Sequence, residues 1–177
     1  LELDGIGTEH LSELEHMGYD YVEMPLAEMM RLDGPNFLEL KRRVDRLTIG
    51  CEVCNNFFPK HMRLTGQEVR MDLVLSYAER ALTRAKDLGA TCVVFGSGSA
   101  KNVPKGTSLE KGYQQIVDLL NQIASLAANR DIIICIEPLR KQECNLINTF
   151  EEGGRLADEL RHPNIKVLAD YFHMMAE

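Results

Sequence analysis

Two acids stand where runs of apolar residues stop. Residues 132–138 read Ile-Ile-Ile-Cys-Ile-Glu-Pro and residues 165–170 read Ile-Lys-Val-Leu-Ala-Asp, so Glu137 and Asp170 each close a short strand-like run. An ionised carboxylate taken out of water without a partner costs several kcal/mol or more, so such a group is neutralised, hydrogen-bonded or held against a cation. Two acids at the carboxyl ends of successive parallel strands suit one shared metal ion. The plainer alternative is that each acid caps the loop or helix that follows it.

The elements that would position these acids repeat along the chain. Strand candidates fall at 20–24, 48–54, 91–96, 132–137 and 165–170, bounded by Gly, Pro or polar turns. Between them Val74, Ala78, Ala81, Ala85 and Leu88 recur at helical spacing, as do Tyr113, Ile116, Leu120, Ile123 and Ala127. Thr65 with Glu68, Thr107 with Glu110 and Thr149 with Glu152 fit the T-x-x-E box that starts helices. Alternating strands and helices imply an α/β fold on a parallel sheet with right-handed crossovers, either a (β/α) barrel or an open doubly wound sheet. The barrel is preferred because acids at several strand ends fit its carboxyl-terminal face, whereas a dinucleotide sheet would want G-x-G-x-x-G after a strand. The nearest match to that motif, Gly96-Ser97-Gly98-Ser99, lacks the third glycine and, with Lys101 to Lys105 intervening, an immediate helix. It reads more simply as a tight turn than as a loop that brings Lys101 or Lys105 to a substrate.

Composition narrows the class. At 177 residues, with 45% hydrophobic and 27% charged, the chain has enough apolar material for one core, so residues 1–177 are read as a single domain. A net charge of -7 argues against general nucleic-acid or anionic-membrane binding. No apolar stretch approaches the roughly 20 residues that span a bilayer, and Leu1-Glu2-Leu3-Asp4 carries no basic region ahead of an apolar one, so a cytoplasmic protein is expected. Five cysteines is an odd number, and Cys92 and Cys135 sit inside apolar runs, so disulfides are not expected. Cys51 and Cys54 form C-x-x-C, but residues three apart in a regular strand face opposite ways, which argues against redox or zinc use.

Glu137-Pro138-Leu139, Glu143, Asn145 and Asn148-Thr149, followed by Asp170-Tyr171-Phe172-His173-Met174, resemble the xylose-isomerase-like sugar isomerase and epimerase barrels. The resemblance is closest to the D-tagatose and D-psicose 3-epimerase group. Residues 18–23, Phe57-Phe58-Pro59 and Leu88-Gly89-Ala90 leading into 93–98 resemble the same family's second, third and fourth strand regions. The resemblance implies a (β/α)8 TIM barrel, here incomplete and covering about strands 2–6. It implies Glu137 as metal ligand and acid/base, Asp170 as second metal ligand, and Glu143 and His173 as contacts to sugar hydroxyls. Glu23, Phe57, Gly96 and Ser97 are further pocket candidates; Glu23 is equally readable as a salt-bridge residue and one of Phe57 and Phe58 as core. The implied cofactor is a divalent ion, Mn2+ first, with Mg2+, Co2+ or Zn2+ also compatible with oxygen and imidazole ligands. The implied partner is a small sugar, a ketose or sugar phosphate. A cation gripping the carbonyl and neighbouring hydroxyl of a ketose acidifies the carbon between them, a carboxylate removes that proton, and an enediolate results.

One departure from the family pattern matters. The family's metal site uses four side chains, and its remaining histidine and glutamate come from the last two barrel strands, whereas this sequence ends at Glu177. A TIM barrel takes ~250 residues, so the sequence reads as five or so βα units, clipped at its start as well, whose unpaired edges would favour association, including homo-oligomers. Alternatives within the fold are a metal-dependent lyase or dehydratase, an AP-endonuclease-like enzyme, or an inactive sugar-binding fragment.

Overall fold

In the computed structural model, residues 7–177 are described, so the clipped start read at Leu1 to Asp4 lies outside the described residues. Five strands, β1 (Tyr21–Pro25), β2 (Gly50–Asn55), β3 (Cys92–Phe95), β4 (Ile133–Ile136) and β5 (Ile165–Val167), form one parallel sheet in chain order. All five match the runs read from sequence. The last run was read three residues too long. Leu168 still donates its amide to the Ile136 carbonyl at 2.8 Å, after which Asp170 turns to start a helix.

A 3-10 turn (Thr8–His10) leads into α1 (Leu11–His16), and α2 (Leu26–Met29) and α3 (Gly34–Asp45) follow β1. The long crossover helices are α4 (Met71–Asp87) after β2 and α6 (Leu109–Ala128) after β3, the latter preceded by the single turn α5 (Gly98–Lys101). Helix α7 (Phe150–Leu160) joins β4 to β5, and α8 (Tyr171–Met174) follows β5. The apolar stripes do what their spacing demands: Val74, Ala78, Ala81 and Ala85 of α4, and Ile116, Leu120, Ile123 and Ala127 of α6, are buried with Val93, Phe95, Ile134 and Ile136 of the sheet. Burying each such Ile or Leu contributes about 1.5–3 kcal/mol.

Burial alternates along the strands. Val22, Met24, Ile134 and Ile136 are buried, while Tyr21, Glu23 and Ile133 between them are exposed, so helices cover one face and leave the other open. In a closed barrel that second face would turn inward. Of the three helix-start boxes, only Thr149 serves as written: its hydroxyl accepts the Glu152 amide, and Glu152 accepts the Asn148 amide. Ser108, not Thr107, caps α6. Thr65 caps nothing; it is buried with its hydroxyl donating to the Asn102 carbonyl, while α4 starts six residues later.

The C-x-x-C reading needs correction in its geometry. Glu23 pairs with Val53 while Val22 pairs with Cys51, so Glu52 is an extra residue in β2. The inserted residue resets the two-residue period, which puts Cys51 and Cys54 on the same buried side with their sulfurs 3.8 Å apart.

Candidate metal and sugar site

Three side chains from the carboxyl ends of β4 and β5 converge. One ligand atom each of Glu137, Asp170 and His173 lie within 4.8 Å of one another, all three groups half-buried. The sequence builds this locally. Glu137 follows β4 directly, its amide held by the Phe95 carbonyl at 3.2 Å. Asp170 caps α8: its Oδ1 accepts the amides of Phe172 at 2.7 Å and His173 at 3.2 Å. That cap fixes His173 one helical turn on, with its Nδ1 facing the Arg140 amide at 3.5 Å. The two readings offered for Asp170 are compatible, since the cap engages only one of its two carboxylate oxygens.

Glu137 differs. Among the described residues none donates a hydrogen bond to its carboxylate, and burial raises its pKa, with the charge of Asp170 adding to this and His173 opposing it. Such a carboxylate is short of positive charge.

Gly96 makes room for it. A Cβ at residue 96 would stand 2.1 Å from Glu137 Oε2, so no other residue type leaves that position of the carboxylate intact. At Gly98 a Cβ would meet Leu139 at 2.9 Å and the Glu143 carbonyl at 3.1 Å. The Gly-Ser-Gly run is thus a close-packing device between the loops after β3 and β4. A helical turn does follow it at once, contrary to the sequence reading, and Ser97 takes the left-handed conformation that joins them (φ 43°).

Lys101 turns away from solvent. It is fully buried, donates to the Glu137 carbonyl at 3.1 Å and lies 5.5 Å from the centroid of the Phe95 ring. Burial brings its ammonium down to about 8, with Cys144 and Glu137 acting in the opposite direction. It therefore supports the backbone under Glu137 instead of reaching a ligand, a placement that its position in a polar loop did not signal.

The remaining candidates spread around this centre. Glu143 is exposed and paired with Arg140 at 2.7 Å, and the Arg140 guanidinium lies 4.6 Å from the centroid of the Phe172 ring. Arg140, missed in the sequence, thus ties Glu143 to the helix bearing His173; its only signal was the i,i+3 spacing. Glu143 and Ser97 line a cavity of about 380 Å³ together with Asn56, Lys60, Ser99 and Gln142. Phe57 is fully buried, its ring 4.2 Å from that of Phe58, and it is Phe58 that lines this cavity. Glu23 is exposed in the middle of β1, not at its end, on the sheet face shared with Val53 and Cys92. Glu177 accepts the Phe150 amide and lies apart from the cluster.

The family described as "Xylose isomerase-like TIM barrel" matches residues 11–177. A D-psicose 3-epimerase of Ruminiclostridium cellulolyticum is 34% identical over 65 residues, which cover 37% of this chain and 22% of that protein. The crystal structure of a D-psicose 3-epimerase in the presence of D-fructose superimposes on 99% of this chain with a TM-score of 0.86 and 20% identity, this chain spanning 62% of it. A family 2 AP endonuclease from Brucella melitensis shares the fold at a TM-score of 0.79 and 16% identity, 96% of this chain matching 64% of that one.

Proposed function

The chain belongs to the xylose isomerase-like TIM barrel family, and on that premise we propose that it carries one side of the active site of a metal-dependent ketose 3-epimerase of the cytoplasm. The observation that carries the proposal is the half-buried Glu137 carboxylate, without a hydrogen-bond donor among the described residues, within 4.8 Å of ligand atoms of Asp170 and His173.

That donor set fits a divalent cation. Glu137 and the free oxygen of Asp170 would hold it, Mn2+ in the first instance, with Mg2+, Co2+ and Zn2+ compatible with the same ligands. Bound there, the ion supplies Lewis-acid polarisation of the sugar's carbonyl and adjoining hydroxyl. The protein's own groups do the rest. Glu137 lies at the strand end as the base that takes the proton from the carbon between those oxygens, leaving an enediolate, and its raised pKa suits a group that must also hand a proton on. With the Arg140 amide facing Nδ1, His173 has Nε2 left to meet a sugar hydroxyl. Glu143, with Ser97, Ser99, Asn56 and Gln142, offers the mixture of donors and acceptors that the far hydroxyls of a ketose require. Return of the proton on the opposite face calls for a second acid/base.

The AP-endonuclease reading is weaker on two counts: the net charge is -7, and the other strand ends carry Pro25, Asn55, Asn56, Gly96 and Ser97 where that chemistry calls for histidines.

Epimerisation of D-fructose, D-psicose and D-tagatose, assayed with and without Mn2+, tests the proposal on this chain and on a form lengthened by the strands that the longer relatives possess. Mn2+-dependent turnover in the lengthened form is expected, with Glu137→Gln slowing it by ~10²–10⁴-fold. A lengthened protein that binds Mn2+ yet turns over none of the ketoses would overturn it.

A further inference from the structure

Four of the five cysteines lie in two pairs, and the pairs differ in kind. Cys51 and Cys54 are both buried, on the side of β2 that packs against helices, with 3.8 Å between sulfurs. Cys92 opens β3 and Cys135 lies in β4; Cys92 pairs with Ile133 and Val94 with Cys135, so the two are diagonal neighbours. Both are only half-buried, on the face opposite the helices, and their sulfurs are 2.8 Å apart.

That separation discriminates between uses. Two sulfurs sharing a tetrahedral metal, each with a metal-sulfur bond of about 2.3 Å, stand roughly 3.8 Å apart. Cys92 and Cys135 are well inside that spacing and within about 0.8 Å of the ~2.05 Å of a disulfide. We propose that Cys92 and Cys135 form an oxidation site, closing to an intramolecular disulfide that staples β3 to β4 on reaction with a peroxide.

The step balances with the peroxide as the named oxidant. The O–O bond breaks as one sulfur takes an oxygen to give a sulfenic acid and water leaves; the second sulfur then attacks the first, the S–O bond breaks and a second water leaves. Two thiols and one peroxide become one disulfide and two waters. A dithiol reductant reverses the change by exchange. The link would lie two residues before Glu137 in β4, on the same face of the strand, so the bridged strands are those that set Gly96 against the Glu137 carboxylate.

The experiment is a thiol map. The reduced, desalted chain is treated with hydrogen peroxide, digested without reductant and analysed by mass spectrometry. A peptide pair joined through Cys92 and Cys135, lighter by two hydrogens, is expected, with reactive thiols in denaturant falling from five to three and restored by dithiothreitol. Cys92→Ser and Cys135→Ser should each give no internal link under the same dose. Retention of all five thiols, a link between Cys51 and Cys54 instead, or only intermolecular disulfides would overturn the proposal. Because the map of the unaltered chain decides by itself, a variant that folds badly does not obscure the answer. The outcome is independent of whether the site at Glu137 holds a metal.

Discussion

Gly96 and Glu137 form a unit in which one residue's missing side chain sets the other's position. In Gly96→Ala the added methyl would meet the flexible end of Glu137, the part most easily displaced, so the fold should survive while the carboxylate leaves the cluster. Mn2+ titrated by calorimetry should then bind at least ~10-fold more weakly, a loss of about 1.4 kcal/mol or more, with circular dichroism unchanged. The raised pKa of Glu137 gives a second expectation. A carboxyl whose folded pKa exceeds its unfolded value of about 4.3 contributes stability that is fully present below that value and is lost as pH rises through the folded pKa. In EDTA, Glu137→Gln should therefore melt higher than the parent at neutral pH, with the advantage vanishing in acid. Metal affinity should run the other way and weaken as pH falls through the raised value, because the cation competes with the proton. The sequence made Glu137, Asp170 and His173 legible because the first two end apolar runs and the third completes a D-x-x-H. It left Lys101 and Arg140 obscure, since their roles arise from contacts between loops that no local pattern encodes.

Helix α7 joins β4 to β5, the two paired strands after which the acids stand. Its start rests on Thr149 and Glu152, so Thr149→Ala should lower stability by about 1 kcal/mol, read as a shift in urea midpoint with an unchanged slope. The same substitution at Thr65 should behave differently. Thr65 caps no helix but holds the Asn102 carbonyl, and its loss should disturb the loops around Lys101 and Asn145. Both threonines carry the same T-x-x-E signature, and only one uses it. At this scale the strands and the long helices were readable from period alone, because burial against a sheet imposes it. The cap at Thr149 was readable too, but the cap of α6, the role of Thr65 and the extra residue in β2 were not, because each depends on which of several nearby groups the folded backbone presents.

The open sheet governs the behaviour of the whole chain. Tyr21 is 48% exposed and Ile133 37%, on a face that a closed barrel would turn inward, and β1 and β5 have no outer partner among the described residues. This chain spans 62% of the psicose 3-epimerase chain it superimposes on. Light scattering of this chain should show association that grows with concentration, and a form lengthened toward the size of its relatives should suppress that association and melt higher. The fold class was legible because repeated βα units announce themselves, whereas the one-sided cover of the sheet became visible only with coordinates. The strand order carries one more implication. Every strand is laid beside the one synthesised just before it, so pairings join stretches near in sequence and no late segment must thread between earlier ones. The sheet can therefore grow at a single advancing edge as the polypeptide leaves the ribosome, with Glu137 and Asp170 each emerging after the strands that their loops rest against have been made.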